Sequence, residues 1–140
     1  MSEVLSDHEL DELVAAAREA RSNAYAPYSH LEVGAALATG GGRRFAGANV
    51  ENASYGLAIC AERVAAVKAV TAGARDLVAI AVVSSSPAPT PPCGACRQFL
   101  YEFNPGIAVV SEGGDGGRER WRLSELLPDG FGPQDLEVPR

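Results

Sequence analysis

Leu77-Val78-Ala79-Ile80-Ala81-Val82-Val83-Ser84 is an unbroken apolar run rich in Val and Ile. A strand with no polar alternation has no solvent side, so this one is expected in the middle of a sheet covered on both faces. Upstream, residues 59–71 are Ala-rich and read as a helix, with Gly73 as its stop. Downstream, residues 85–92 hold four prolines in eight positions and must be a loop. A second short helix is expected from 93 to about 103, and Asn104-Pro105-Gly106 turns the chain into a strand over 107–111. With a strand before it, this forms a strand-helix-strand-helix-strand segment, which favours parallel neighbours.

The flanks complete the layout. Ser6-Asp7-His8-Glu9 has capping-box spacing, and Leu10, Leu13, Val14 and Ala17 recur at helical intervals, so residues 7–22 read as an amphipathic helix. Residues 24–29 break it. Residues 33–39 and 44–50 read as strands joined through Gly40-Gly41-Gly42, a hairpin signal. Residues 49–56 are polar and irregular. Residues 113–117 form a glycine-rich turn, 118–123 a last strand and 124–127 a helical turn before a tail bearing Pro and Gly. The expected fold class is α/β, a mixed sheet covered by helices. The 140 residues suggest one domain over 1–140, with no internal repeat.

Composition narrows the function. Hydrophobic residues make up 46% of the chain, enough for one core, and the formal net charge is -6. Neutralising a nucleic-acid backbone takes clustered Lys and Arg, and no basic run occurs, so a small substrate is expected rather than a nucleic acid. Residues 1–12 have neither a basic start nor an apolar segment, which speaks against a secretory signal. No stretch reaches the roughly 18 apolar residues that span a bilayer, so no membrane partner is expected. Three cysteines, an odd number, fit a reducing compartment, and the cytoplasm is expected.

All three cysteines lie in two short motifs, Cys60-Ala61-Glu62 and Pro92-Cys93-Gly94-Ala95-Cys96. Cys-x-x-Cys alone reads equally well as a redox or structural pair. With Cys60, Glu62 and Pro92 beside it, the pattern points to a catalytic zinc. Three thiolates fill three tetrahedral positions and leave the fourth open for water. Bound zinc lowers the pKa of that water from about 15.7 towards neutral, and Glu62 is placed to take its proton and return it to a substrate. Each motif falls at the start of an expected helix, where free N–H groups and the dipole favour thiolate over thiol. Three thiolates leave a zinc site one unit negative, and Arg63 is expected to offset this by hydrogen bonding to a ligand sulfur. His8 and His30, the only histidines, are expected at the surface.

These motifs are the three-cysteine form of the signature of zinc nucleobase deaminases. Over residues 25–136 the chain resembles the small cytidine deaminases. The matching stretches are Tyr25-Ala-Pro-Tyr-Ser29, Val33-Gly-Ala-Ala-Leu37, Asn49-Val-Glu-Asn-Ala-Ser-Tyr55, Cys60-Ala-Glu-Arg63, Pro92-Cys-Gly-Ala-Cys-Arg-Gln98 and Leu126-Leu-Pro-Asp-Gly-Phe131. The resemblance implies a three-layer α/β/α fold on a mixed five-stranded sheet. It also implies a homotetramer with shared active sites and one Zn2+ per subunit. The implied reaction is hydrolysis of cytidine and 2'-deoxycytidine to uridine, 2'-deoxyuridine and ammonia. Cys60, Cys93 and Cys96 match the family's zinc ligands and Glu62 its proton shuttle. Asn49 and Glu51 match the residues that bind the ribose 3'-hydroxyl. The N–H of Ala61 and the carbonyl of Pro91 match contacts to the base and its amino group, and Phe131 an aromatic that reaches a neighbouring subunit's site.

Two positions depart from the family pattern. Many members carry Ser where this chain has Pro91, but the contact is a carbonyl, which proline keeps. Many carry Phe at Leu31, where the ring packs on the pyrimidine. Leucine keeps the apolar contact and forfeits the stacking, worth about 0.5–1.5 kcal/mol. Two other readings fit parts of the chain. One is a deaminase of another aminopyrimidine nucleoside such as blasticidin S, against which Asn49-Val50-Glu51 counts. The other is a non-enzymatic zinc- or RNA-binding module, which would favour a closed site and basic charge.

Overall fold

A computed structural model describes residues 5–140. Residues 1–4, part of the N-terminal stretch read above for a secretory signal, lie outside the described residues.

Helix α1, Asp7–Arg21, starts at the expected capping box. The N–H of Glu9 donates to Ser6 Oγ at 3.1 Å, and the N–H of Ser6 donates to Glu9 Oε1 at 2.8 Å. The hairpin β1 (Val33–Thr39) and β2 (Arg44–Ala48) follows. Then come α2 (Ala61–Thr71), β3 (Leu77–Ser84), α3 (Gly94–Tyr101), β4 (Ala108–Glu112), β5 (Arg118–Arg122) and α4 (Leu123–Leu126). Gly73, at φ 95°, adopts the left-handed conformation just past α2 that stops the helix. Two 3₁₀ turns, Tyr55–Leu57 and Pro133–Leu136, were not expected from the sequence.

The five strands form one sheet in the order β2-β1-β3-β4-β5. Every residue of β3 is buried, as its unbroken apolar run demands. Strands β3 and β4 are parallel neighbours. The expectation of parallel neighbours fails at β2. It does run in the same direction as β3, but β1 lies between them and is antiparallel to both. The hairpin folds β1 inward, so the β2-α2-β3 crossover steps over it.

Helices cover both faces, giving the three-layer arrangement. On one face Leu10, Leu13, Val14 and Ala17 of α1 pack on Ala36, Ala38, Ala79, Ala81 and Val110. On the other, Ala61, Ala65, Ala66 and Ala69 of α2, with Leu100 and Leu123, pack on Ala35, Leu37, Ile80 and Val109. Fully buried side chains such as Leu13, Leu37, Ile80 and Leu100 each contribute about 1.5–3 kcal/mol. Small residues let the helices approach closely. A Cβ on Gly34 would lie 2.0 Å from the carbonyl oxygen of Ala17, and one on Gly47 would lie 2.6 Å from Val64 Cγ1. The second approach seats α2, and with it the residues at its start. Among the described residues, no helix is long and apolar enough to cross a membrane.

Candidate active site

The carboxyl ends of β2 and β3 and the first turns of α2 and α3 meet at one end of the sheet. Cys60 is the N-cap of α2 and Cys93 the N-cap of α3, while Cys96 lies in the first turn of α3 and is buried. Cys60 Sγ lies 3.7 Å from Cys93 Sγ, which lies 3.6 Å from Cys96 Sγ. All three sulfurs fall within 4.8 Å of one another. Thiolates at tetrahedral positions around one zinc, each about 2.3 Å from it, stand about 3.8 Å apart, so the spacing fits that ion. A disulfide would need sulfurs about 2.05 Å apart.

The charges fit as well. Three sulfurs this close cannot all ionise unaided. The Cys60 thiol is pulled down to about 5, chiefly by hydrogen bonding to Cys96 and also by Arg63 and Cys93. Cys96 is pushed up, because it is the partner that keeps its proton and because it is buried. A divalent cation at their centre removes the conflict and lets all three ionise. Arg63 Nη2 lies 3.7 Å from Cys60 Sγ. Its Nε is buried without a partner among the described residues. Cys60, Cys93 and Cys96 thus form a site for one zinc per chain. His8 pairs with Glu12 at 3.3 Å on the surface, and neither histidine joins the cluster.

A cleft of about 260 Å³ opens beside the sulfurs. Cys60, Ala61, Glu62, Cys93 and Pro91 line its metal side, and Leu31, Asn49 and Glu51 its other side. Glu62 is only 5% exposed. Burial is the main reason its carboxyl rises to about 7, and the neighbouring Cys60 charge adds to the rise. Ala61 is the first residue of α2, where backbone N–H groups have no partner within the helix.

Asn49 and Glu51 are held by the backbone around Leu31. Asn49 Nδ2 donates to the Leu31 carbonyl at 2.8 Å, and its Oδ1 accepts from the N–H of Val33 at 2.9 Å. Glu51 Oε1 accepts from the N–H groups of Tyr28 at 3.0 Å and Ser29 at 3.1 Å, and Oε2 accepts from the Ser29 hydroxyl. Leu31, 39% exposed, faces the cleft. Phe131 does not line this cleft. It is 58% exposed, and its carbonyl accepts from Gln98 Nε2 at 2.8 Å.

Several contributors were missed in the sequence. Ser29, Val82, Ser84 and Thr90 also line the cleft. The Ser111 hydroxyl, fully buried on β4, donates to the Thr90 carbonyl at 2.7 Å and accepts from the Thr90 N–H at 3.0 Å. The N–H groups of Gly114 and Asp115 donate to the carbonyls of Ser86 and Pro87. A Cβ on Gly113 would lie 2.4 Å from the Pro87 oxygen. The turn after β4 therefore clamps the proline-rich loop that delivers Pro91 and Cys93. Arg97 fixes the far end, donating from Nε to the Pro92 carbonyl at 2.7 Å. A serine in a strand and glycines in a turn are too common to have signalled this contact.

Three sulfurs beside an open cleft would leave a bound zinc one position free, which is the catalytic kind of site, since structural sites close all four. Residues 7–112 match the family model for the zinc-binding region of cytidine and deoxycytidylate deaminases. The chain is 50% identical over 125 residues to a cytidine deaminase of Halalkalibacterium halodurans, covering 89% of this chain and 95% of that protein. It is 43% identical over 133 residues to a probable cytidine deaminase of Dictyostelium discoideum, covering 94% of this chain and 90% of the other. Its fold superposes with a TM-score of 0.84 on the crystal structure of cytidine deaminase from Burkholderia pseudomallei, at 48% identity, covering 91% of this chain and all of that one. The chain belongs to the cytidine and deoxycytidylate deaminase family.

Proposed function

We infer that this chain is a zinc-dependent enzyme that hydrolyses cytidine and 2'-deoxycytidine to the corresponding uridines and ammonia, as a single domain. The observation that carries the reading is Glu62, a buried carboxyl at the start of α2, two residues from a zinc-ligating sulfur and facing the same cleft. Cys60, Cys93 and Cys96 would hold zinc, which would supply a water acidified towards neutral pH. Glu62 takes the proton of that water and passes it to the ring nitrogen N3 as oxygen adds at C4. It would then take the remaining proton from the hydroxyl added at C4 and deliver it to the amino group, so that the C4 carbonyl forms, the C4–N bond breaks and ammonia leaves. Burial pushes the Glu62 carboxyl up from its ordinary value, the direction that suits a group which both takes and gives a proton. Burial keeps bulk water from competing for these protons. Arg63, close to Cys60, offsets the excess negative charge of three thiolates.

The Ala61 N–H and the Pro91 carbonyl hold the base, the carbonyl accepting from the amino group that leaves. Leu31 gives the ring an apolar wall. A sugar hydroxyl donates to Glu51 and accepts from the second N–H of the Asn49 amide, which suits a group that does both. The cleft lining carries two carboxylates and no Lys or Arg among the described residues. A phosphate there would meet like charge and no counter-charge, so the unphosphorylated nucleoside fits better than the nucleotide.

The protein works as a homotetramer, with Phe131 reaching a neighbouring subunit's cleft. Support comes from the exposed ring of Phe131 and from Tyr55 and Leu57, which are 76% and 65% exposed. Sedimentation at micromolar concentration tests the assembly. Three thiols kept for one open metal site suit the reducing cytoplasm. The decisive assay follows cytidine absorbance with Glu62→Gln. The variant should fold and hold zinc yet lose nearly all turnover, and wild-type turnover would remove Glu62 from the mechanism.

A further inference from the structure

Ser29 makes two hydrogen bonds through its side chain that join the sugar side of the cleft to its base wall. Its hydroxyl donates to Glu51 Oε2 and accepts from the N–H of Leu31 at 3.0 Å. The donor of this hydroxyl is therefore spent on the Glu51 carboxylate, and one of its lone pairs on the backbone that carries the Leu31 side chain. The Leu31 carbonyl is held in turn by Asn49 Nδ2 at 2.8 Å. His30, between Ser29 and Leu31, sits at φ 63° in the left-handed region, which a non-glycine residue occupies at a cost. The bonds on either side keep it there.

We propose that Ser29 is a positioning residue for sugar recognition, aiming the Glu51 carboxylate at the ribose 3'-hydroxyl and tying that aim to the Leu31 wall. The inference rests on the reading of Asn49 and Glu51 as the sugar-binding pair. Two backbone N–H groups already occupy Oε1 of Glu51. Oε2 meets only the hydroxyl of Ser29 among its described hydrogen bonds. That bond fixes the rotation of the carboxylate and leaves a lone pair of Oε2 for a further donor. The same contacts hold the Glu51 carboxyl below the usual carboxylate range, with the Ser29 hydroxyl the largest cause. Glu51 is then an acceptor only, so a hydroxyl donor binds it and a sugar lacking that hydroxyl leaves it unmet.

The test compares kcat/KM for cytidine and 3'-deoxycytidine in the zinc-loaded enzyme. Loss of one charge-assisted hydrogen bond should make Ser29→Ala lower the ratio of the two values about tenfold. Ser29→Thr, which keeps the hydroxyl, should restore most of it. A residue that only supported the loop would depress both substrates alike and leave the ratio unchanged. Ser29 is exposed, so neither variant strains the core. Glu51→Ala separates the two levels of the argument. If it lowers the ratio while Ser29→Ala does not, the positioning role is overturned and the sugar-binding pair stands. If neither variant lowers it, Glu51 does not read the 3'-hydroxyl and both fall together.

Discussion

On one wall of the cleft, Cys60, Glu62 and Cys93, with Cys96 buried behind them, sit at the starts of two helices packed on the sheet. On the other, Ser29, Leu31 and Glu51 sit in segments without regular structure, held by hydrogen bonds between side chain and backbone. Glu62 and Cys96 are buried, whereas Leu31 is 39% exposed. The metal wall inherits its rigidity from the core. The opposite wall, proposed to bind sugar and base, depends on a few polar contacts near solvent, which are individually weaker. Chemistry and substrate choice are thus carried by parts of different stiffness, and substitutions on the two walls should change different kinetic constants.

Glu62→Gln tests the metal wall most severely. Its kcat should fall by about a hundred- to ten-thousand-fold, with zinc content and thermal midpoint close to wild type. An effect confined to KM would erase the distinction between the walls. Cys96→Ser should lose zinc by elemental analysis, and activity with it. In the wild type, a chelator should strip zinc more readily as pH falls, because protons compete for the sulfurs.

Glu112 lies on neither wall and separates fold stability from both. It is 7% exposed, and burial alone would raise its carboxyl. Arg18 at 2.7 Å and Arg118 at 3.0 Å outweigh burial and hold it below the ordinary range. A depressed carboxyl contributes stability above its unfolded value, near about 4.3, and loses it as pH falls through the folded value. Glu112→Gln should therefore cost about 1–3 kcal/mol at pH 7 in urea unfolding, and the gap to wild type should close below about pH 4. Smallest is Leu31→Phe, which should lower KM for cytidine about two- to tenfold through restored stacking. Steady-state kinetics with unchanged KM would show that the base does not lean on this side chain.

The metal wall was legible because its residues share short, fixed spacings at helix starts. Helix α1 was placed within one residue by its capping box and apolar repeat. Strand β2 ends at Ala48 rather than 50 because Val50 leaves the ladder to bridge Tyr25 and Ile59. That pairing also holds Ile59 out of α2, which begins at Ala61 instead of 59. Helix α3 stops at Tyr101 rather than 103, where Phe103 and Asn104 turn back on Leu100. Strand order was illegible, since β1 slips between β2 and β3 through contacts far apart in sequence. For the same reason, Ser29 read as part of a helix break and of a matching stretch but not as a site residue, and Ser111 only as a strand residue.

The tight seat of Gly113 against the proline-rich loop has a practical consequence. A hairpin bend some twenty positions beyond Cys93 acts as the backstop against which the metal-bearing segment is set. A side chain there would displace that segment. A search for inactive variants guided by distance along the chain from the cysteines would overlook it, although the bend shares in setting the shape of the catalytic pocket.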